Sequence, residues 1–141
     1  MWRVRFLMLL LAFALAGCGG GQASPARPAT DTPEAVHEGW VAAMQANNRD
    51  ALLALAAEKQ FKAAFVDDNL GPLRSFLNAG KYGPLVKVET GSLTDDSVGK
   101  TGVSVWTFER NFTCYRTILE AQGGAWKVTN WGVMAHCPEK K

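Results

Sequence analysis

The 141-residue chain has no apolar run long enough to cross a bilayer, few histidines and cysteines, and almost no excess charge. Its longest uncharged apolar stretch, Phe6 to about Ala16, is about half of the roughly 20 residues that span a hydrocarbon core, which excludes an ordinary transmembrane helix. Two histidines and three cysteines leave little for metal ligation, and His37, His136 and Cys137 lack the paired spacing of a zinc site, so no metal is expected. Neither a Gly-x-Ser-x-Gly elbow nor a phosphate-binding loop is present, and no cofactor is implied. A formal charge of only +2, without a basic stripe or a polybasic cluster, argues against a nucleic-acid partner and against electrostatic attachment to a membrane surface.

What the short apolar run does have is context. It follows the basic start Met1-Trp2-Arg3-Val4-Arg5 and ends in small residues, the layout of a secretory signal peptide. The four residues Leu15-Ala16-Gly17-Cys18 resemble the lipobox of bacterial lipoproteins. That resemblance implies a diacylglycerol on the Cys18 sulfur, cleavage before it and fatty acylation of the new amino terminus, so that Cys18 becomes the first residue of an exported, lipid-anchored protein of the cell envelope. The uncharged Gly19 after the cysteine would allow outer-membrane sorting in a cell with two membranes. The other reading, a buried helix ending at Gly19-Gly20-Gly21, lacks the polar face that a core helix needs.

The expected organisation is therefore a signal over residues 1–17, a lipidated cysteine and flexible linker over 18–31, and one domain over 32–141. Two or more acyl chains hold a protein stably where one does not. Gly19 to Asp31, rich in Gly, Ala, Pro and Ser, buries too little to offset its ordering entropy and reads as a leash. Only Arg3 and Arg5 are charged in the signal, so the mature chain keeps 13 basic residues against 13 acidic ones.

The domain begins with Thr32 as a helix cap, Pro33 in the first helical position and Glu34 at the positive end of the dipole. Val36, Trp40, Ala43 and Met44 form its apolar stripe, with His37 placed at the edge of that stripe. "RDALLALAAE" predicts a second, short helix with Leu52, Leu53, Leu55 and Ala56 inward. Asp67-Asp68-Asn69-Leu70-Gly71-Pro72 reads as a solvated turn, and a third helix is predicted from about Pro72 to a stop at Gly80.

The period then changes. Val86, Val88 and Thr90 alternate with polar residues, "TDDSVGK" reads as a turn, and "TGVSVWTFE", "TCYRTILEAQ" and "AWKVTNWGVM" read as strands, the last two joined at Gly123-Gly124. The implied fold class is α+β, with N-terminal helices packed on a curved four-stranded antiparallel sheet. A two-residue turn at Gly123-Gly124 sets Glu120 opposite Lys127, Leu119 opposite Val128, Ala121 opposite Trp126 and Arg116 opposite Trp131. In that register Arg116 and Trp131 stack on the outer face, which with Ile118 is a surface for pairing two copies.

The capped first helix with its central Trp, the "NNRDAL" step and the terminal "GGAWKVTNWGV" resemble the nuclear transport factor two-like superfamily, a cystatin-like cone in which a bent sheet wraps a long helix. The resemblance, over about Thr32 to Val133, implies an apolar cavity, for which Trp40, Trp106, Tyr115 and Trp126 are the candidate lining residues. Members include isomerases, dehydratases, cyclases and non-catalytic binding modules, so the fold leaves function open. An isomerase-type site needs a carboxylate in a dry pocket beside acidic donors. Asp67, Asp68, Tyr82, Tyr115 and His37 are the groups available for it, but their spacing matches no isomerase motif and no catalytic residue is assigned. The expected function is a binding or interaction module for a small apolar ligand or an envelope partner. The alternatives are a small acid-base cavity enzyme and a dimerising structural subunit.

With Cys18 taken by lipid, Cys114 and Cys137 remain, and export favours a disulfide between them over two separately buried thiols. The hairpin register sets Cys114 opposite Val133, with Cys137 four residues further, roughly 13 Å along an ideal strand. A bond needs Cα atoms within about 7 Å, so the tail from Met134 to Cys137 must fold back. The anchor has a direct test: Cys18→Ser should release or mislocalise the protein while the domain from Thr32 stays folded, and a mature-length variant that remains in the membrane pellet would overturn the lipoprotein reading.

Overall fold

The computed structural model describes residues 28–138 except Gln60. The signal and Cys18 lie outside the described residues. The chain is held slightly earlier than the expected domain start, because the carbonyl of Thr30 accepts a hydrogen bond from the Trp126 N–H at 2.8 Å.

Helix α1 spans Pro33–Gln45 and starts as its sequence requires, with Thr32 Oγ1 accepting from the Ala35 N–H at 3.2 Å. Its buried side carries Val36, His37, Trp40, Val41, Ala43 and Met44. Helix α2, Arg49–Leu55, is capped by Asn48 in the same way and buries Leu52 and Leu55. Its end is tied to the sheet, since the Ala57 N–H donates to the Val128 carbonyl at 2.8 Å.

Helix α3 spans Lys62–Ala79, ten residues more at its start than the sequence pattern indicates, and runs straight through the segment read as a turn. Pro72 lies inside it. A proline there removes one hydrogen bond and costs about 3 kcal/mol. Val66, Leu70 and Leu73 are all buried on one side of this helix, and at roughly 1.5–3 kcal/mol each their burial exceeds that cost. A bidentate pair, Arg49 Nε to Asp67 Oδ1 at 2.7 Å and a second guanidinium N–H to Oδ2 at 2.9 Å, joins α2 to α3 on the surface.

Five strands follow: β1 (Leu85–Thr90), β2 (Thr94–Asp96), β3 (Gly99–Phe108), β4 (Phe112–Gln122) and β5 (Ala125–Val133). They form one antiparallel sheet in the order β1-β3-β4-β5, with β2 pairing the early part of β3. The fifth strand, β2, falls within the segment expected to be a turn: Thr94 to Asp96 pair with Gly99 to Thr101 around Ser97-Val98. Gly102, Ser104, Trp106 and Phe108 of β3 are buried in alternation and face the helices. On β4, Tyr115, Thr117 and Leu119 do the same.

The β4–β5 hairpin turns at Gly123 and Gly124, whose φ angles of 58° and 80° require the left-handed conformation glycine allows. Leu119–Val128, Glu120–Lys127 and Ala121–Trp126 pair as the sequence predicts. Beyond them the register shifts by one residue between Ile118 and Leu119. Thr129 is the extra residue, so Thr117 pairs with Trp131, Arg116 with Gly132 and Tyr115 with Val133. Trp131 is consequently buried on the inner face, stacked on Tyr115 with ring centroids 4.3 Å apart and planes 2° from parallel. The expected Arg116–Trp131 stack does not exist, and the outer surface proposed for pairing two copies lacks its aromatic.

The same shift brings Met134 opposite Cys114, where its N–H donates to the Cys114 carbonyl at 2.8 Å. The tail then folds back over the outer face and Cys137 bonds Cys114, with Cα atoms 5.4 Å apart. Pro138 arrives beside Val103 and Val105 of β3. Because Cys114 is fully buried beneath this tail, replacing both cysteines with serine should lower stability by roughly 3 kcal/mol, the loop-closure value for about 20 residues. Denaturant midpoints of the two forms, together with non-reducing mass of the parent, check this; two alkylatable thiols in the parent would contradict the bond.

Candidate functional site

The inner face of the cone is largely filled. Trp40 and Trp106 are fully buried in the core, Trp126 is half-buried against it, and Tyr115, the remaining candidate lining residue, borders an open cleft. That space is a cleft of about 360 Å³ at one end of the cone. Its floor is the Tyr115–Trp131 stack, its helical wall comes from Asp68, Asn69, Pro72, Leu73 and Phe76 of α3, and Tyr82, Thr113 and the end of β5 at Gly132 and Val133 close the remaining sides. Phe76 packs edge-on against both Tyr82 and Phe108 at 5.4 Å, which fixes the aromatic wall.

Three groups that the sequence offered separately, Asp68, Tyr82 and Tyr115, meet in this cleft. Asp67, one residue away, turns instead to Arg49, whose guanidinium holds its carboxyl below the usual range. Asp68 is exposed and makes no ion pair among the described residues. Burial pushes the Tyr115 phenol upward, so at neutral pH its hydroxyl stays protonated and able to donate. The arrangement is an aromatic slot with polar groups at its rim. A carboxylate held in a dry pocket beside a Tyr, the requirement for an isomerase-type base, is not what Asp68 provides.

Sequence reasoning missed Trp131, Phe76 and Asn69 as site residues. The signal for Trp131 was present: the apolar positions of β5 are even-numbered at Trp126 and Val128 and odd-numbered at Trp131 and Val133, and such a change of parity marks a bulge. Nothing comparable marked Asn69 or Phe76 before α3 was known to run through Pro72.

His37 is not at the edge of α1 but 1% exposed. Its imidazole lies against Gly102 of β3, where an added Cβ would fall 2.8 Å from two ring carbons and 2.7 Å from Leu93 Cδ2, so only glycine admits the ring. Neither ring nitrogen has a hydrogen-bond partner among the described residues. Desolvation lowers its pKa, and the nearby Val103 main chain, short of full hydrogen-bond geometry, and the Glu38 charge only partly oppose that. His37 lines a separate hollow with Glu34 and Leu93, away from the aromatic cleft.

No family model and no curated protein matches the chain. Among solved structures, it is similar to a chain from Thiobacillus denitrificans described as a calcium/calmodulin-dependent protein kinase type II association domain. The two share 16% identity, with 76% of this chain and 97% of that chain covered and a TM-score of 0.54.

The burial of His37 gives a pH dependence. The folded state binds the proton less well than the unfolded chain, whose histidine titrates near about 6.5. Stability should therefore be complete above that value and fall as pH drops from it toward the depressed folded pKa. Urea midpoints at about pH 7.5 and about pH 5.5 should differ in the parent, and His37→Leu should flatten the difference over that window. An unchanged slope in the variant would assign the effect elsewhere. The helices, the five-stranded antiparallel sheet and the structural likeness together show an α+β fold, helices packed on an open antiparallel sheet, with the architecture of a nuclear transport factor two-like cone.

Proposed function

We propose that the protein is a lipid-anchored component of the cell envelope whose cone binds a small, largely apolar ligand without transforming it. The observation that carries the binding role is the cleft floored by the stacked Tyr115 and Trp131 and walled by Phe76 and Tyr82, a concave aromatic surface beside a filled core. Concave, mostly apolar sites with a few polar groups are where small ligands bind. The acid-base alternative lacks support from Asp68, because its carboxylate is exposed to water and not held in the dry pocket that such a base occupies.

The cellular setting rests on Cys18 and on two compatible features. The Cys114–Cys137 bond suits an oxidising compartment, and no helix among the described residues is long and apolar enough to cross a membrane. An anchor of fatty chains on a leash would then leave the cleft free to meet ligands at the membrane surface.

Para-fluorophenylethanol, an uncharged probe with an aromatic body, should bind the full chain with a Kd of about 1 mM, judged from its size, and broaden its fluorine-NMR line. Thr113→Trp, which fills the cleft from the start of β4, should abolish that broadening while leaving the thermal transition in place. Binding that survives in the variant would move the site elsewhere.

A further inference from the structure

The polar groups around the cleft are uneven in kind. Asp68 is the one charged side chain that lines it, and that carboxylate has no ion-pair partner among the described residues. Pro72, in the same wall, has no N–H, so the Asp68 carbonyl four residues earlier is denied its helical donor. Asn69 spends its Nδ2 on the Phe65 carbonyl at 2.7 Å, which leaves its Oδ1 free to accept. Two side-chain acceptors, one of them charged, therefore sit on one turn of α3 beside the Tyr115–Trp131 stack, and among the described residues no lysine or arginine lines the cleft to offset them.

We infer that the ligand class of this cleft is an organic cation: an amine or ammonium group carried on a flat apolar body. The inference rests on the ligand-binding reading above and narrows it. An ammonium group has only donors, which matches a rim of acceptors, and its charge is attracted both by the Asp68 carboxylate and by the faces of Tyr and Trp rings. The fold already uses this attraction next door, where Lys81 Nζ stands 5.4 Å from the Tyr82 ring centroid. A carboxylate or phosphate ligand would meet repulsion from Asp68 with no cation among the described lining residues to offset it, Lys81 standing next to the cleft and not in its lining, so the same groups disfavour anions.

Three probes of matched size separate the possibilities: para-fluorophenethylammonium, para-fluorophenylethanol and para-fluorophenylacetate, each titrated by fluorine NMR into the full chain, with partition into lipid or detergent subtracted from a protein-free sample. The ammonium should bind about fivefold more tightly than the alcohol, the combined size of one exposed ion pair and one cation-aromatic contact, and the acetate most weakly. Asp68→Asn, at an exposed position, should remove most of the ammonium preference, read as the ratio of ammonium to alcohol affinity within the same variant. If the alcohol binds but the ammonium gains nothing over it, or if the preference survives in Asp68→Asn, the cation inference is overturned while the ligand-binding reading stands. If none of the three binds at millimolar concentration, both fall.

Discussion

One extra residue in β5 decides how the open end of this cone is built. Without the bulge at Thr129, the strict alternation of the hairpin would send Trp131 to the outer face and leave Tyr115 without the ring that stacks on it at 4.3 Å. With it, the inner aromatic row of the sheet continues from Trp106 through Tyr115 to Trp131, whose contacts at 5.5 and 4.3 Å form a connected wall. The same residue sets the far end of the strand. It brings Met134 rather than Val133 opposite Cys114 and so shortens by one residue the distance the folded-back tail must return to set Cys137 against Cys114. The aromatic floor and the covalent closure of the tail are two consequences of one local departure from pairing.

A second departure shapes the opposite wall. Local preference at Asp67-Asp68-Asn69-Leu70-Gly71-Pro72 favours a turn, since Asp, Asn, Gly and Pro all compete with helical hydrogen bonding. Tertiary burial overrides it. Val66, Leu70 and Leu73 fall on one side of a continuous helix, and a turn at Gly71 would have withdrawn at least one of them from the core. The consequence is that Asp68 and Asn69 stand on a helical face pointing into the cleft rather than in a loop, with Pro72 marking the place where the backbone is short of a donor.

Much of the architecture was legible from the sequence because independent signals agreed. Thr32-Pro33-Glu34 specified a helix start by capping, ring geometry and charge together, and Gly123-Gly124 with Leu119–Val128 and Glu120–Lys127 specified a hairpin by turn and cross-strand pairing together. Where signals disagreed the reading went astray. Pro72 outweighed the apolar spacing of Val66, Leu70 and Leu73. The parity of Trp131 was subordinated to the register fixed nearer the turn. His37 was placed by its polarity although it lies three and four residues before Trp40 and Val41, at the centre of the buried stripe. Its acceptance in the core depends on a partner that single-helix reasoning does not see, the bare backbone of Gly102 on another element.

The filling of the interior also explains why the candidate site sits at the mouth. A cone lined by Trp40, Trp106, Met44, Leu52, Leu55 and Leu119, all essentially inaccessible, leaves no room for a ligand in its centre, and the dry carboxylate that isomerase chemistry needs would have to displace one of them. At the mouth, the sheet runs out beyond Trp131 and α3 is still facing it, so aromatic side chains are shared between core and solvent. Tyr115 shows the transition within one residue: its ring belongs to the core stack with Trp106 and Trp131, while its hydroxyl forms no hydrogen bond to the described residues and borders the cleft. A surface of that kind recognises a ligand through ring faces and a small number of polar contacts. It can be varied at the rim, at positions such as Asp68, Asn69 and Thr113, without disturbing the stack beneath. In the proposed binding role, specificity would thus rest on the rim and stability on the stack, carried by different atoms of neighbouring residues.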